Sequence, residues 1–563
     1  MQSKNMGNSA DMHQSVTDRT TQLRLTLILV SASILLSTWL SFQISSIMAR
    51  HKIIHISILY SPVIFLRLGT NLSHPFKALP FKLSNPPSSS LFWILFTVTL
   101  AFLILITLFL TSNEFWSTLS LRIDRGNDPR PAHWAKTSNI TTLFVNTQVP
   151  GRLIIGKYKN HLVASESSHS VLIIGPTQSF KTSGFAIPSI LEWKGPIIAT
   201  SVKGDLVNTT FKYRSSQGPV FIVDPTESSG KPSNYWDPLK HSLTWPGAKK
   251  TATKLAECAQ TVNSGIEDAG FWYQTASKLI APLLFAAANS SLGLRSIIKW
   301  VDTQEIFEPM DLLRNIGLSD ALNSFEASIK REERQKSSVY TTAETMLSAY
   351  EPRLDETPID IESLIYDSGT LYITAPAFEQ RRLTPYFSAM ISTILDYVYL
   401  NVAKTNHPLN EPLLLLLDEA ANIAPLKELD SIASTAASHG IQLVTVWQDL
   451  AQLNARYGQS SATVLNNHKM KVLLSGSSDL ATLDSLSNLI GTSTFSTTSV
   501  SSGKTTQKSV TRSNEHRPLA PSHLLRQIPP GEGVVLNGHL PPFKIKLRPW
   551  FNDTSLKSLV ERD

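Results

Sequence analysis

The sequence predicts an α/β protein built on a parallel central sheet and carried by two membrane-spanning helices near its N-terminus. Two observations lead there. Apolar runs occupy residues 25–49, which hold no formal charge, and start again at residue 91 with LFWILFTVTLAFLILITLFL. Beyond them, short apolar β-type runs alternate with helical stretches, the pattern of a parallel sheet with crossover helices.

Each apolar run is long enough to cross a bilayer, because about 20 helical residues span a hydrocarbon core of roughly 30 Å. A cleaved signal peptide fits the first run poorly: the apolar stretch is long for that role and no AxA-like site follows it. The organisation read from this is a tail over 1–24, a first span over 25–48, a connecting segment over 49–90 and a second span over 91–111. The connecting segment carries Lys52, Arg67, Lys77 and Lys82 and no acidic residue, which by the positive-inside tendency favours the cytosolic side. Gly175, Lys181 and Thr182 beyond the spans, spaced as in a phosphate-binding loop, favour the opposite: the ATP such a loop takes is cytosolic, so the tail and the large domain are placed in the cytoplasm and the basic segment outside. The apolar stretch over 53–66 is either interfacial or packed within that segment.

At 563 residues and 42% apolar content, the chain has ample material for a large core. Its one cysteine, Cys258, excludes an intramolecular disulfide and a cysteine zinc site, and reads as a small core residue in a reducing compartment. The net charge of +7 and pI near 9.2 suit contact with nucleic acid or anionic lipid, although the basic residues are dispersed.

The run VLIIG over 171–175 reads as a buried strand, and PTQSFKTSGFAIPSIL follows it as loop and helix. Gly175, four residues, then Phe180, Lys181 and Thr182 match G-x-x-x-x-G-K-[ST] except at the second glycine. In such a loop, here Gly175, Pro176, Thr177, Gln178, Ser179, Phe180, Lys181, Thr182 and Ser183, the backbone N–H groups of the residues other than proline cradle phosphates. Lys181 reaches the β and γ phosphates of ATP and the Thr182 hydroxyl holds Mg2+. Phe180 keeps the N–H that a glycine would offer and adds bulk and a conformational restriction. Two outcomes stay open: the ring turns away and the loop works, or the compact nest is lost and ATP turnover with it.

LLLLL over 413–417 ends in Asp418 and Glu419, an apolar strand closed by paired carboxylates. Asp418 is read as the second Mg2+ residue and Glu419 as the group that orients or deprotonates the attacking water. A further strand, IQLVTV over 441–446, ends near Gln448, the candidate γ-phosphate sensor; a polar cap on the strand is the plainer alternative. Other strands are expected over 196–200, 219–223, 471–474 and 533–536. The chemistry this assigns is catalytic work by Lys181, Glu419 and Gln448, with Mg2+ held by Thr182 and Asp418.

In this order the segments VLIIGPTQSFKTSGFAIPSIL, IIATSVKGDLVNTTFKYRSSQGPVFIVDPT, TLYITAPAFEQRRLTPYF, LLLLLDEAANIAPL and QLVTVWQDLAQLNARYG resemble blocks of the TraG/TraD coupling proteins of type IV secretion and conjugation. That family is related to FtsK-type and HerA-type motors. The resemblance implies a RecA-like P-loop domain over 112–249 and 353–563, with an all-α domain inserted over 250–352. It further implies a homo-hexameric ring at the plasma membrane that uses ATP to deliver DNA with its relaxase, or another secreted protein, to the channel components of the secretion system. A docking receptor that does not hydrolyse ATP, and a DNA translocase without a channel, remain as alternatives. The sequence departs from the family at Phe180 and in the turn holding Lys203 and Asp205, which leaves a plain turn as the alternative there.

Three further expectations concern single segments. Phe271 and Trp272 are read as core aromatics of the helical insert. The Ser/Thr-rich stretch over 491–517, with Lys504, Lys508, Arg512 and Arg517, reads as a mobile loop, either solvated or lining a channel and contacting DNA phosphates. Arg381 and Arg382 follow a strand and are candidates for reaching a neighbouring subunit's nucleotide.

Overall fold

The computed structural model describes residues 29–49, 56–81, 83, 86–111, 131–262, 269–350, 356–502 and 508–561. The tail over 1–24, Lys52, Lys82, residues 112–130 and Lys504 lie outside them. The chain divides into two units, Met1–Arg130 and Pro131–Asp563.

In the first unit the helices Leu29–Ala49 and Ser89–Thr111 are each long and apolar enough to cross a membrane. They run antiparallel. Ser33 and Thr107 meet through their hydroxyls at 3.1 Å, and Ser41 and Thr99 at 3.4 Å. Small hydroxyl residues suit such a seam, because they allow close approach where lipid supplies no hydrophobic drive between helices. At one end, Phe42 packs on Phe76 and Phe92 with ring centroids 5.4 and 4.5 Å away. The apolar stretch between the helices contributes the helix Ser61–Leu68, which buries Ile64 and Leu68 in that cluster and leaves Leu66 exposed.

The second unit is organised by a sheet of twelve strands. In chain order the strands of this unit are β1 (Phe144–Val145), β2 (Ile154–Tyr158), β3 (His161–Ala164), β4 (Val171–Ile174), β5 (Ile197–Ser201), β6 (Val220–Val223), β7 (Asn234–Tyr235), β8 (Thr357–Pro358), β9 (Thr370–Thr374), β10 (Leu413–Leu417), β11 (Ile441–Trp447), β12 (Met470–Leu474), β13 (Thr492–Ser502), β14 (Lys508–Pro518), β15 (Glu532–Asn537) and β16 (Phe543–Lys546). The large sheet runs β1-β3-β2-β16-β15-β12-β4-β11-β10-β5-β9-β6. From β12 to β6 every pairing is parallel.

The five-leucine run explains itself in this setting. Leu413, Leu415 and Leu417 enter the core on one face, Leu414 and Leu416 the core on the other, and all five are fully buried. A strand covered on both faces has no polar side to show. The first face is covered by the helix Ala377–Thr405 and by six helices between β7 and β8: Trp245–Val262, Ala269–Asn289, Leu294–Asp302, Phe307–Ile316, Ser319–Ile329 and Glu333–Leu347. These six share one continuous core with the sheet, since Leu279, Tyr340 and Leu415 belong to the same cluster. Cys258 is buried there, and burial pushes its thiol up to about 12, so it is a packing residue.

Three expectations change. The sheet is mixed, because β15 pairs antiparallel with β12, and β16, β2, β3 and β1 continue antiparallel beyond it. The connections decide this: β2 and β3 are separated by Lys159 and Asn160 alone, and a parallel pair needs a crossover of a dozen residues or more. Within the stretch over 491–517, β13 and β14 pair antiparallel along their whole length, with Thr492 opposite Pro518 and Ser502 opposite Lys508. Its low hydrophobicity hid a strand preference carried by threonine and valine. Phe271 is 59% exposed, whereas Tyr273, Ala276 and Ile280 of the same helix are buried. Phe271 lies in the first turn of the helix, before the stretch Leu279–Ala287 in which every residue is buried. Trp272 is half-buried against it.

Candidate nucleotide-binding site

All seven parallel strands end at one edge of the sheet, and the residues singled out from the sequence follow those ends. The loop after β4, the turn after β10 and the start of the helix after β11 are therefore neighbours. β11 lies between β4 and β10, so the strands that carry the phosphate loop and the carboxylate pair are one strand apart. Gly175 donates its N–H to the Trp447 carbonyl at 2.9 Å, joining the loop to the end of β11.

Gly175 is required by space: a Cβ there would meet Ser179 Oγ at 2.7 Å and Leu474 Cβ at 3.0 Å. The buried Ser179 hydroxyl donates to the Pro176 carbonyl at 2.8 Å and closes the turn. Thr177 and Gln178 are exposed at its tip. Lys181 Nζ donates to the carbonyls of Gly175 and Pro176 at 2.7 and 2.6 Å, so the ammonium is folded back over the loop. Burial lowers its pKa, while the Asp418 and Glu419 carboxylates act in the opposite sense.

Phe180 adopts φ of +63°, the left-handed region that a glycine enters freely and that costs another residue roughly 1 to 2 kcal/mol. The loop thus keeps the backbone shape of the motif without its glycine. The phenyl ring is half-buried and packs against the core on the second face of the sheet. Gly184 N–H donates to the Phe180 carbonyl at 2.8 Å, and a Cβ at Gly184 would lie 3.2 Å from both Phe180 Cβ and Leu547 Cβ.

Thr182 and Ser183 begin a π-helical turn, Thr182–Ala186, in which the Ile187 N–H reaches the Thr182 carbonyl. The next residue, Pro188, has no N–H to give the Gly184 carbonyl, which instead accepts from the Arg548 N–H at 3.4 Å. Single π turns of this kind sit frequently at functional sites.

Thr182 Oγ1 lies 3.5 Å from Asp418 Oδ2, at the outer edge of hydrogen bonding. Asp418 is buried, and its Oδ1 has no hydrogen-bond partner. Burial pushes this carboxyl up to about 6, with Lys181 opposing and Glu419 adding to the rise. A buried acceptor without a donor, beside a threonine hydroxyl, fits a hydrated divalent cation. Among the described residues no cluster of three His, Cys, Asp or Glu could hold a metal unaided. That agrees with Mg2+, which is commonly held by one or two carboxylates together with substrate phosphates and water.

Glu419 is half-exposed and adopts φ of +54°; its carbonyl accepts from the N–H groups of Asn422 and Ile423 at 2.9 and 3.2 Å. Gln448 sits past the end of β11 with its N–H bonded to Gln452 Oε1 at 3.1 Å. Sequence reasoning missed Thr200. Its hydroxyl, at the end of β5, donates to the Asp418 carbonyl at 2.9 Å and holds the strand end in place. No motif marks it, since only the β5–β10 pairing makes it a neighbour. Lys203 and Asp205 are both exposed; Ser201 Oγ donates to the Lys203 carbonyl at 2.8 Å, and Asp205 opens the helix Asp205–Ser215. Arg381 and Arg382 are exposed on the first turns of Ala377–Thr405, and Arg382 pairs with Glu379 at 2.7 Å.

A family model described as Type IV secretory system Conjugative DNA transfer matches residues 128–562. The chain belongs to this family. It is similar to the conjugal transfer protein TraG of Escherichia coli, 24% identical over 371 residues that make up 60% of this chain and 57% of that protein. It is also similar to VirD4 of Rhizobium radiobacter, 22% identical over 73% of this chain and 61% of the relative. The chain thus spans about three fifths of the length of these relatives. Among solved structures, the plasmid coupling protein TrwB in complex with the ATP analogue ADPNP superposes with a TM-score of 0.55 at 16% identity, covering 75% of this chain and 94% of TrwB. TrwB in complex with ADP and Mg2+ gives 0.54 over the same shares. The type IV coupling family accordingly shares with this chain a RecA-like α/β fold, here with an all-α insertion and two apolar N-terminal helices.

Proposed function

We propose that this protein is a membrane-anchored coupling protein of a type IV secretion or conjugative DNA-transfer system. It uses ATP with Mg2+ to recruit DNA with its relaxase, or a protein substrate, and to deliver it to the channel components. The observation that carries the reading is the meeting of Lys181, Thr182 and Asp418 at the carboxyl edge of the parallel strands, with one Asp418 oxygen left without a partner. Lys181 leaves the carbonyls of Gly175 and Pro176 to neutralise the β and γ phosphates. Thr182 and Asp418 would hold Mg2+, which would supply charge neutralisation when bound. Glu419 positions the attacking water and accepts its proton, and Gln448 registers the γ phosphate.

Both apolar helices span the plasma membrane in this reading, with the second unit in the cytoplasm as part of a homo-hexameric ring. The helical segment over 250–352 receives the cargo, and the flanking parts over 112–249 and 353–563 bind nucleotide. Membership in the family and the likeness to TrwB support the assignment. The full-length protein in detergent is expected to hydrolyse ATP, and Lys181→Ala to lower turnover at least about a hundredfold. Turnover that is absent in wild type, with labelled ATP still bound, would replace this reading with a docking receptor. The left-handed backbone of Phe180 is the observation that favours that second reading.

A further inference from the structure

The turn that carries Glu419 has a second side. It borders a cleft of about 440 Å³ at the carboxyl edge, lined by Ala377, Gln380, Arg381, Thr384, Asn422 and Arg456 among others. None of these residues belongs to the loop over 175–183. Arg456, at the end of the helix Leu450–Tyr457, has its Nε and one terminal nitrogen, Nη2, buried without a hydrogen-bond partner. Arg381 is exposed at the mouth, and among the described residues neither arginine has an ion-pair partner. Ala377 is the first residue of the helix Ala377–Thr405, so the positive end of a long helix dipole also borders the cleft.

Two buried guanidinium nitrogens without a partner are an expensive arrangement, and they are relieved by an anion that accepts from both Nε and Nη2 along that one edge. Guanidinium, helix N-terminus and side-chain amide together match a phosphate group. Volume and charge both admit one.

The walls of the cleft are tied to the turn behind it. Thr384 Oγ1 donates to the Asn422 carbonyl at 2.7 Å, and Tyr457 Oη donates to the Leu426 carbonyl at 3.0 Å. Asn422 N–H in turn donates to the Glu419 carbonyl at 2.9 Å. An occupant that draws Arg456 and Arg381 together pulls on the helices at both walls, and therefore on the short turn that sets the direction of Glu419.

The geometry points to the Arg381–Arg456 cleft as a phosphate-binding site whose occupancy is relayed to Glu419. The phosphate comes from one of two sources, the backbone of a bound nucleic acid strand or the nucleotide of a neighbouring subunit. The relay to hydrolysis rests on the function proposed above; the phosphate site itself does not.

The test uses full-length protein in detergent with Arg381→Gln, Arg456→Gln and Arg456→Lys. Affinity for a fluorescein-labelled single-stranded oligonucleotide is read by anisotropy without nucleotide, and ATP turnover is read with and without the oligonucleotide. If the occupant is a nucleic acid phosphate, each Gln variant loses about tenfold in oligonucleotide affinity together with its stimulation of turnover, and Arg456→Lys keeps part of both. If the occupant is a neighbour's nucleotide, oligonucleotide affinity is unchanged and turnover falls. Mixing with Lys181→Ala subunits, whose cleft is intact, then restores turnover. Loss of oligonucleotide affinity in a protein that never hydrolyses ATP supports the cleft and rejects the ATPase reading. Wild-type affinity combined with unchanged turnover in Arg381→Gln, an exposed position that folding does not need, overturns the site. Turnover lost without restoration on mixing overturns it too.

Discussion

The two edges of the parallel strands treat buried charge in opposite ways. At the amino edge Arg214 is fully buried, and its guanidinium donates to the carbonyls of Trp193, Gly195 and Ser368 and to the Thr370 hydroxyl, at 2.7 to 3.2 Å. Those carbonyls precede or enter β5 and β9, where no strand partner serves them. At the carboxyl edge Asp418 keeps an oxygen without a donor, and Arg456 keeps two nitrogens without an acceptor. Arg214 finds all its acceptors within the chain and serves the fold. The carboxyl edge is satisfied only by something that is not the chain, which is the physical mark of a binding edge.

Substitutions should separate the two edges. The largest effect is expected from Arg214→Leu, which strands three carbonyls and a hydroxyl in the interior and removes about 3 kcal/mol or more of stability. Thermal melting of the full-length protein in detergent checks it; a change within a few degrees would erase the contrast. Asp418→Asn should do the reverse. Because the folded carboxyl titrates at about 6, above its unfolded value, its ionised form opposes folding at neutral pH and ceases to do so below about 6. The substitution therefore stabilises the nucleotide-free protein by about 1 to 3 kcal/mol while abolishing turnover. A lower melting temperature for this variant would place Asp418 with the structural charges.

The same carboxyl sets a pH dependence for the cation. Mg2+ must displace the proton on Asp418, so the Mg2+ needed for labelled-nucleotide binding should rise about tenfold per unit as pH falls below about 6. In Asp418→Asn that slope should vanish. The smallest effect belongs to Phe180→Gly. Relief of the left-handed backbone and loss of the ring's packing offset each other to within about 1 kcal/mol of stability. Nucleotide affinity should nevertheless rise by a few fold, read by titration with a fluorescent ATP analogue. An unchanged affinity would mean that the Phe180 ring stands clear of the phosphates.

Much of this site was legible from local pattern. VLIIG followed by the lysine–threonine pair, and LLLLL followed by Asp418 and Glu419, are each a strand with its following loop, and such units carry their signature within a dozen residues. Position in the sheet was not legible. β11 comes later in the chain than β10 yet inserts between β10 and β4, so chain order does not give strand order. Phe271 was misplaced because a period of 3.6 residues blurs when two aromatics stand side by side. The paired strands β13 and β14 were read as a loop because Ser and Thr supply little hydropathy from which to count a period of two.

By itself, then, the sequence determined the apolar runs, the strand-and-loop units, the residue at each position of the phosphate-loop pattern and the presence of Phe180 where that pattern has a glycine. These are statements about near neighbours, and near neighbours are governed by backbone geometry and side-chain type. Only the tertiary structure decided the strand order, the antiparallel extension, the backbone conformation that Phe180 accepts and the pairing of Thr182 with Asp418. It alone left two buried nitrogens of Arg456 without a partner among the described residues, beside the turn of Glu419. Each of these depends on which distant segments meet, and that is settled by burial of both sheet faces over the whole domain.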